Sequence, residues 1–235
     1  MILKDDATRD RRSQRRIRSF VRRAGRITKA QQRALTMLLP RYGVAPGDGP
    51  LDVRALCPDG ADVVIDIGFG DGEALAELAR SHPQLCYLGI EVYEPGIGHL
   101  LLRLAADDID NVRVLCADAA EVFSDRLAAG SAAAVNLFFP DPWPKKRHFK
   151  RRLIQPAFVA DVVRVLQPNG LLHIATDWQP YAEHVRNVMA GCLELAPVAA
   201  TELVADPRAA RPPTKFEHRG RALGHAVTDL FYRKR

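Results

Sequence analysis

The sequence predicts an α/β fold: a doubly wound, mostly parallel sheet with helices on both faces and a basic arm ahead of it. Three observations predict it. Apolar runs of four to seven residues alternate with amphipathic runs of about ten to twelve, the pattern of strands buried on both faces and joined by crossover helices. A glycine-rich segment, Gly68-Phe-Gly70-Asp-Gly72, follows the first such strand and opens the first helix of that series. The length of 235 residues suits one sizeable core and is short for two full enzymatic domains.

From the N-terminus, residues 1 to about 15 are expected to be disordered. Arg-Asp-Arg-Arg-Ser-Gln-Arg-Arg at 9–16 buries little and repels itself. A short helix is expected over 28–39, with Thr28 as its N-cap and Pro40 as its stop. Ala-Pro-Gly-Asp-Gly-Pro at 45–50 reads as a loop. The expected division is therefore a basic arm over 1–50, partly disordered with a short helix, and a catalytic domain over 51–235. Within that domain strands are expected at 62–67, 86–92, 112–116, 133–139, 171–175 and 226–232. Helices are expected at 73–81, 95–106, 155–166 and 180–190, with Pro168-Asn169-Gly170 stopping the third of them and turning the chain.

Such sheets bind ligands outside the carboxyl ends of their strands, near the point where strand order reverses. The polar residues that end strands here are Asp66, Glu91, Asp118, Asp141 and Asp177. Gly68, Gly70 and Gly72 form a loop whose backbone a ligand can approach closely. The dinucleotide fingerprint Gly-x-Gly-x-x-Gly is not met, because Glu73 fills the sixth position. A carboxylate there, with Asp71 beside it, suits an amine and a sulfonium better than a pyrophosphate, which favours S-adenosylmethionine over a nicotinamide dinucleotide. Asp66 would face the methionine end, Glu91 both ribose hydroxyls and Asp118 the adenine amino group. Each acid alone is equally well a helix cap or a surface charge; their recurrence at corresponding strand ends favours the cofactor reading.

The formal charge of +6 is unevenly placed. Residues 1–33 hold twelve Lys or Arg and three Asp, a net +9, so the remainder carries −3. A second block, Lys145-Lys146-Arg147-His148-Phe149-Lys150-Arg151-Arg152, has six positive charges and no acid. One-signed runs with Phe20, Trp143 and Phe149 nearby suit a phosphate backbone, although solvated faces produce charge runs too. Immediately before the block lies Phe138-Phe-Pro-Asp141-Pro-Trp143-Pro144, where flanking prolines restrict the backbone around a carboxylate and an indole.

No apolar stretch is long enough for a membrane span and the first residues do not resemble a secretory signal, so a cytoplasmic enzyme is expected. Cys57, Cys86, Cys116 and Cys192 lie 29, 30 and 76 residues apart, a spacing that suits neither a zinc site nor a dense disulfide framework. No metal is expected, and Cys86 and Cys116 read as reduced core residues.

At this point the chain resembles a known family, the bacterial tRNA (guanine-N7)-methyltransferases, which modify guanosine 46. The resemblance covers about residues 17–235. It is carried by Arg18-Ser-Phe-Val-Arg-Arg, Ile65-Asp-Ile-Gly-Phe-Gly-Asp-Gly, Gly89-Ile-Glu-Val, Phe138-Phe-Pro-Asp-Pro-Trp-Pro-Lys-Lys-Arg-His, Ala175-Thr-Asp-Trp, and Thr214-Lys-Phe-Glu followed by Arg219-Gly. It implies a seven-stranded sheet, S-adenosylmethionine as cofactor and tRNA as partner. Cofactor contacts are implied at Asp66, Glu91, Asp118 and Asp141. Substrate contacts are implied at Lys145, Asp177, Thr214, Lys215, Phe216 and Glu217, with Arg147, His148, Phe149, Lys150, Arg151 and Arg152 along the RNA. Asp141 is the expected catalytic residue, orienting the guanine. Two positions depart from the family pattern: Asp66 stands where Glu is frequent, and Pro144 where His is common, which leaves His148 as the nearest histidine. A methyltransferase for an exocyclic amine and an inactive RNA-binding platform are the rival readings. Monomer and homodimer are both compatible with the sequence.

Overall fold

The computed structural model describes residues 19–20, 26–45, 47, 49–58, 60–222, 224 and 226–235. The expectation for residues 1 to 15 lies outside them. The strands are β1 (Asp62–Ile67), β2 (Leu85–Glu91), β3 (Val112–Cys116), β4 (Ala132–Phe138), β5 (Leu166–Thr176), β6 (Leu195–Val198) and β7 (Thr228–Lys234). They form one sheet in the order β3-β2-β1-β4-β5-β7-β6. The β1–β2, β2–β3, β1–β4 and β4–β5 pairs are parallel, and β7 runs antiparallel to both its neighbours. Strand order reverses between β1 and β4, so ligand chemistry is expected at the carboxyl ends of those strands and their neighbours.

The helices are α1 (Lys29–Tyr42), α2 (Glu73–Ser81), α3 (Glu94–Ala106), α4 (Ala119–Asp125), α5 (Pro156–Val165), α6 (Gln179–Ala190) and α7 (Lys215–Ala222). One face of the sheet is covered by α4, α5 and α6 through Phe123, Phe158, Val162, Tyr181 and Val185. The other is covered by α1, α2 and α3 through Tyr42, Leu75, Leu78, Ile97, Leu100 and Leu104. Both faces of the central strands are thus dry, and β1 reads as an almost unbroken apolar run for that reason.

Thr28 caps α1 in a reciprocal capping box with Gln31. Pro40, expected to stop this helix, lies inside it. A proline in the last turn withholds one donor only. Burial of Tyr42 and the pairing of Gly43 with Val114 beyond the proline hold the helix on course. α1 crosses α3 closely: a Cβ on Gly98 would lie 2.8 Å from Gln31 Cβ, and Gln31 Nε2 donates to the Pro95 carbonyl at 3.0 Å.

Three further expectations change. Pro168-Asn169-Gly170 does not separate α5 from β5 but lies within β5, where the register shifts between its pairings at Ala132 and Ala134 and Asn169 takes a φ of 62°. Cys86 is buried as expected but forms a disulfide with Cys57, because the loop before β1 brings the two Cα atoms to 5.8 Å. Cys116 is exposed at the end of β3 rather than buried in the core. Elements that patterning missed are α4, β6 and α7, each short or weakly apolar. Among the described residues no helix is long and apolar enough to cross a membrane, and no group of three or more His, Cys, Asp or Glu could hold a metal ion.

Candidate active site

The loop from β1 to α2 takes three left-handed turns, at Gly68 (φ 70°), Gly70 (φ 63°) and Gly72 (φ 79°). A side chain at Gly72 would strike Leu100, so this glycine lets α2 close on α3. At Gly68, in contrast, an added Cβ would meet nothing within 4 Å. Its backbone borders open space, as a ligand cradle requires. Glu91 at the end of β2 reaches under this loop: Oε2 accepts from Gly70 N at 2.9 Å, while Oε1 accepts from Val92 N and Tyr93 N at 2.6 and 3.1 Å.

Asp66 is 2% exposed in β1. Burial, and secondarily the charge of Glu91, push its carboxyl up to about 7. The local field therefore favours a cationic group arriving between the two carboxylates. Asp118 ends the turn after β3 and caps α4, with Oδ1 accepting from Ala120 N at 3.0 Å. Glu73 departs from expectation: it faces α3, 3.3 Å from Arg103 and 3.5 Å from His99. The carboxylates at the loop are Asp66, Asp71 and Glu91.

After β4 the chain turns sharply, with positive φ at both Phe139 (52°) and Trp143 (44°). Trp143 is fixed on several sides. Its Nε1 donates to the Ser19 carbonyl at 2.8 Å, Arg151 stacks 3.7 Å from its ring centroid, and His148 meets it edge-on. Arg151 also donates to the Phe20 carbonyl. Arg152, expected along the RNA, is only 3% exposed. Its Nε donates to the Pro142 carbonyl at 2.9 Å and its guanidinium lies 3.8 Å from the Phe149 ring. Arg152 thus supports the Asp141 loop from within. Lys145, Lys146, Arg147 and Lys150 are exposed on the 3-10 turn at 146–151 and its approach, and Phe149 is also exposed. Desolvation, and secondarily the charges of Arg147, Arg151 and Lys145, lower the His148 pKa, which favours a neutral ring.

Asp177 follows β5 and packs on α7: a Cβ on Gly220 would lie 2.8 Å from Asp177 Oδ2. Thr214 Oγ1 accepts from Glu217 N at 3.1 Å and so starts α7. Phe216 lies on α7, but its side chain is outside the described structure. Lys215 forms an ion pair with Asp71 of the glycine loop, joining the two ends of the site. Glu217 is 2% exposed and paired with Arg211 rather than directed to solvent.

A family model described as a putative methyltransferase matches residues 60–230. The tRNA (guanine-N(7)-)-methyltransferase of Alkalilimnicola ehrlichii is 52% identical over 221 residues, covering 93% of both chains. That of Nitrosococcus oceani is 50% identical, over 93% of this chain and 91% of the relative. This chain belongs to the tRNA (guanine-N(7)-)-methyltransferase family. The solved 16S rRNA methyltransferase KamB, 16% identical with a TM-score of 0.53 over 91% of this chain and 96% of its own, shares the fold.

Against the family's motifs, the structure brings Asp66, Gly68, Gly70, Gly72 and Glu91 together at one end of the site. Asp177 and Thr214 to Glu217 lie at the other, bridged by Lys215. Patterning did not single out the residues that hold this arrangement: Asp71 as a partner of Lys215, Gly96 behind the glycine loop, and Arg211, Asp229 and His173 behind α7. Two glycines inside one amphipathic helix, Gly96 and Gly98, were a legible sign of close packing.

Proposed function

We propose that this protein transfers a methyl group from S-adenosylmethionine to N7 of guanosine 46 in tRNA, giving 7-methylguanosine and S-adenosylhomocysteine. The observation that carries the reading is the ion pair between Lys215 and Asp71, which sets the Thr214-Lys-Phe-Glu segment beside the glycine loop. Family membership supports the substrate class, and the exposed basic block supports an RNA surface.

The residues fit the cofactor. An open glycine cradle and two neighbouring carboxylates, one of them already close to neutral, suit an ammonium, a sulfonium and a ribose diol. Asp66 and Glu91 would hold these groups, with Asp118 toward the base. When bound, the cofactor supplies an electrophilic methyl carbon on a sulfonium.

Guanine N7 carries an in-plane lone pair and no proton near neutral pH. No general base is therefore required, and the protein's work is alignment and charge stabilisation. Asp141 orients the purine and faces the positive charge that develops on its imidazole ring. Asp177 accepts from N1–H or the exocyclic amine of the guanine. The exposed Lys145, Lys146, Arg147 and Lys150 hold phosphates, which adds affinity without sequence information.

Asp141→Asn tests the assignment. Single-turnover transfer at saturating tRNA should slow about 10²-fold or more, on the scale of a lost electrostatic stabiliser, and cofactor affinity should fall far less. An unchanged rate would remove Asp141 from the chemistry.

A further inference from the structure

Behind α7 lies a partly buried ionic cluster that the transfer chemistry does not use. Arg211 is 10% exposed and grips Asp229 of β7 with two hydrogen bonds, Nε to Oδ1 at 2.8 Å and Nη2 to Oδ2 at 3.0 Å. Its remaining terminal nitrogen pairs with Glu217. Asp229 Oδ1 is also 2.8 Å from His173 Nε2 on β5. His173 is 1% exposed, stacked on Phe231 at 4.1 Å and met edge-on by Phe138 at 4.8 Å. The Arg211 guanidinium carbon lies 5.9 and 5.6 Å from the rings of Phe138 and Phe139, the residues that lead into the Asp141 loop.

The charge states of the cluster are consistent with one another. Burial alone would raise the Asp229 carboxyl, but hydrogen bonds from His173 and Arg211 hold it down to about 2. Burial lowers the His173 pKa despite Asp229, so the ring is neutral and donates through Nε2. One guanidinium, itself shielded, therefore sits between a buried Glu217 carboxylate and an Asp229 carboxylate that keeps one edge toward solvent. An arginine fork can satisfy both at fixed angles, whereas an ammonium cannot.

We propose that Arg211, anchored by Asp229 and His173, is the positioning residue of the substrate site. It fixes the Thr214–Glu217 turn of α7, and through Phe138 and Phe139 it sets α7 in register with the Asp141 loop. Glu217 then acts through Arg211 rather than by touching the guanine. The inference rests on the tRNA methylation reading for its consequence, but its structural half stands apart from that reading.

Two readouts on the full-length protein separate the halves. In Arg211→Lys, amide hydrogen exchange across α7 should accelerate at least tenfold, while α2 and the cofactor affinity stay as in the wild type. Single-turnover methyl transfer at saturating tRNA should fall at least tenfold, with the tRNA dissociation constant changed less than threefold. Adding Glu217→Gln to Arg211→Lys should cost much less than the product of the two single effects, because both break one linkage. Asp229→Asn, which keeps the shape of the anchor, should reproduce the α7 exchange effect and provides a second variant if the first fails to fold. Unchanged exchange in α7, or multiplicative effects of the Arg211 and Glu217 substitutions, would overturn the positioning role. A wild-type protein that leaves guanine N7 unmethylated would instead overturn the functional reading and leave the exchange test decisive for the network.

Discussion

Gly96→Ala tests how the cofactor loop is supported. Gly96 lies in the first turn of α3, and a Cβ built on it falls 1.9 Å from the Gly70 carbonyl oxygen and 2.9 Å from its carbonyl carbon. Side chains essentially never come closer than 3.0 Å to such atoms, so the helix and the glycine loop must separate by roughly 1 Å. The atom struck is backbone, so no side-chain rotation relieves the clash. Overpacking of this kind costs about 1 to 3 kcal/mol, or a melting-temperature drop of about 2 to 12 °C at about 2 to 4 °C per kcal/mol. The displaced residue is the one whose N–H holds Glu91, so the carboxylate moves with it. Cofactor affinity, measured by titration calorimetry, should fall about tenfold for each 1.4 kcal/mol of the cost that reaches the bound state. Gly98→Ala is the control: it strikes Gln31 of α1 and should lower the melting temperature with little effect on cofactor binding. Wild-type affinity in Gly96→Ala, with or without lost stability, would refute the view that α3 supports the glycine loop.

Three other outcomes follow from the same structure. The Asp66 carboxyl sits at about 7 when folded, above its ordinary value of 3.8, so its contribution to stability is complete below about pH 4 and is lost as pH rises through about 7. The ceiling is on the order of 4 kcal/mol; Asp66→Asn without cofactor should therefore melt higher than wild type at pH 8, and equal pH slopes in the two proteins would exclude a buried, near-neutral Asp66. Reduction, or Cys57→Ser, opens a loop of 29 residues and should cost roughly 3 to 4 kcal/mol by loop-closure entropy, read as a lower melting temperature that dithiothreitol does not lower further in the variant. Replacing Lys146, Arg147 and Lys150 by Ala should reduce the slope of log affinity for tRNA against log salt by about two to three, and an unchanged slope would mean these side chains do not meet phosphate.

The fold was legible where periodicity was strong. The central strands and α2 through α6, apart from α4, could be located because their apolar residues recur at the spacing of a sheet covered on both faces. Short elements escaped because four apolar positions in β6, or a strongly polar α7, do not rise above the surrounding sequence. The strand-end acids were visible because layout alone assigns them importance, whereas the glycine-motif spacing turned Glu73 toward a ligand, and its partners Arg103 and His99 come from another helix. Arg152 and Glu217 sit inside motifs of exposed composition, and only tertiary packing shows that both are buried. The Cys57–Cys86 contact and the Arg211–Asp229–His173 cluster join residues far apart in sequence, and a pattern of local spacing carries no trace of either.

Methylation of tRNA at guanine N7 is tested by incubating the protein with labelled S-adenosylmethionine and unmodified tRNA, then digesting the RNA and identifying the labelled nucleoside. Label is expected in 7-methylguanosine, lost when guanosine 46 is replaced and strongly reduced by Asp141→Asn. Label in another nucleoside, or 7-methylguanosine formed equally in tRNA lacking guanosine 46, would contradict it.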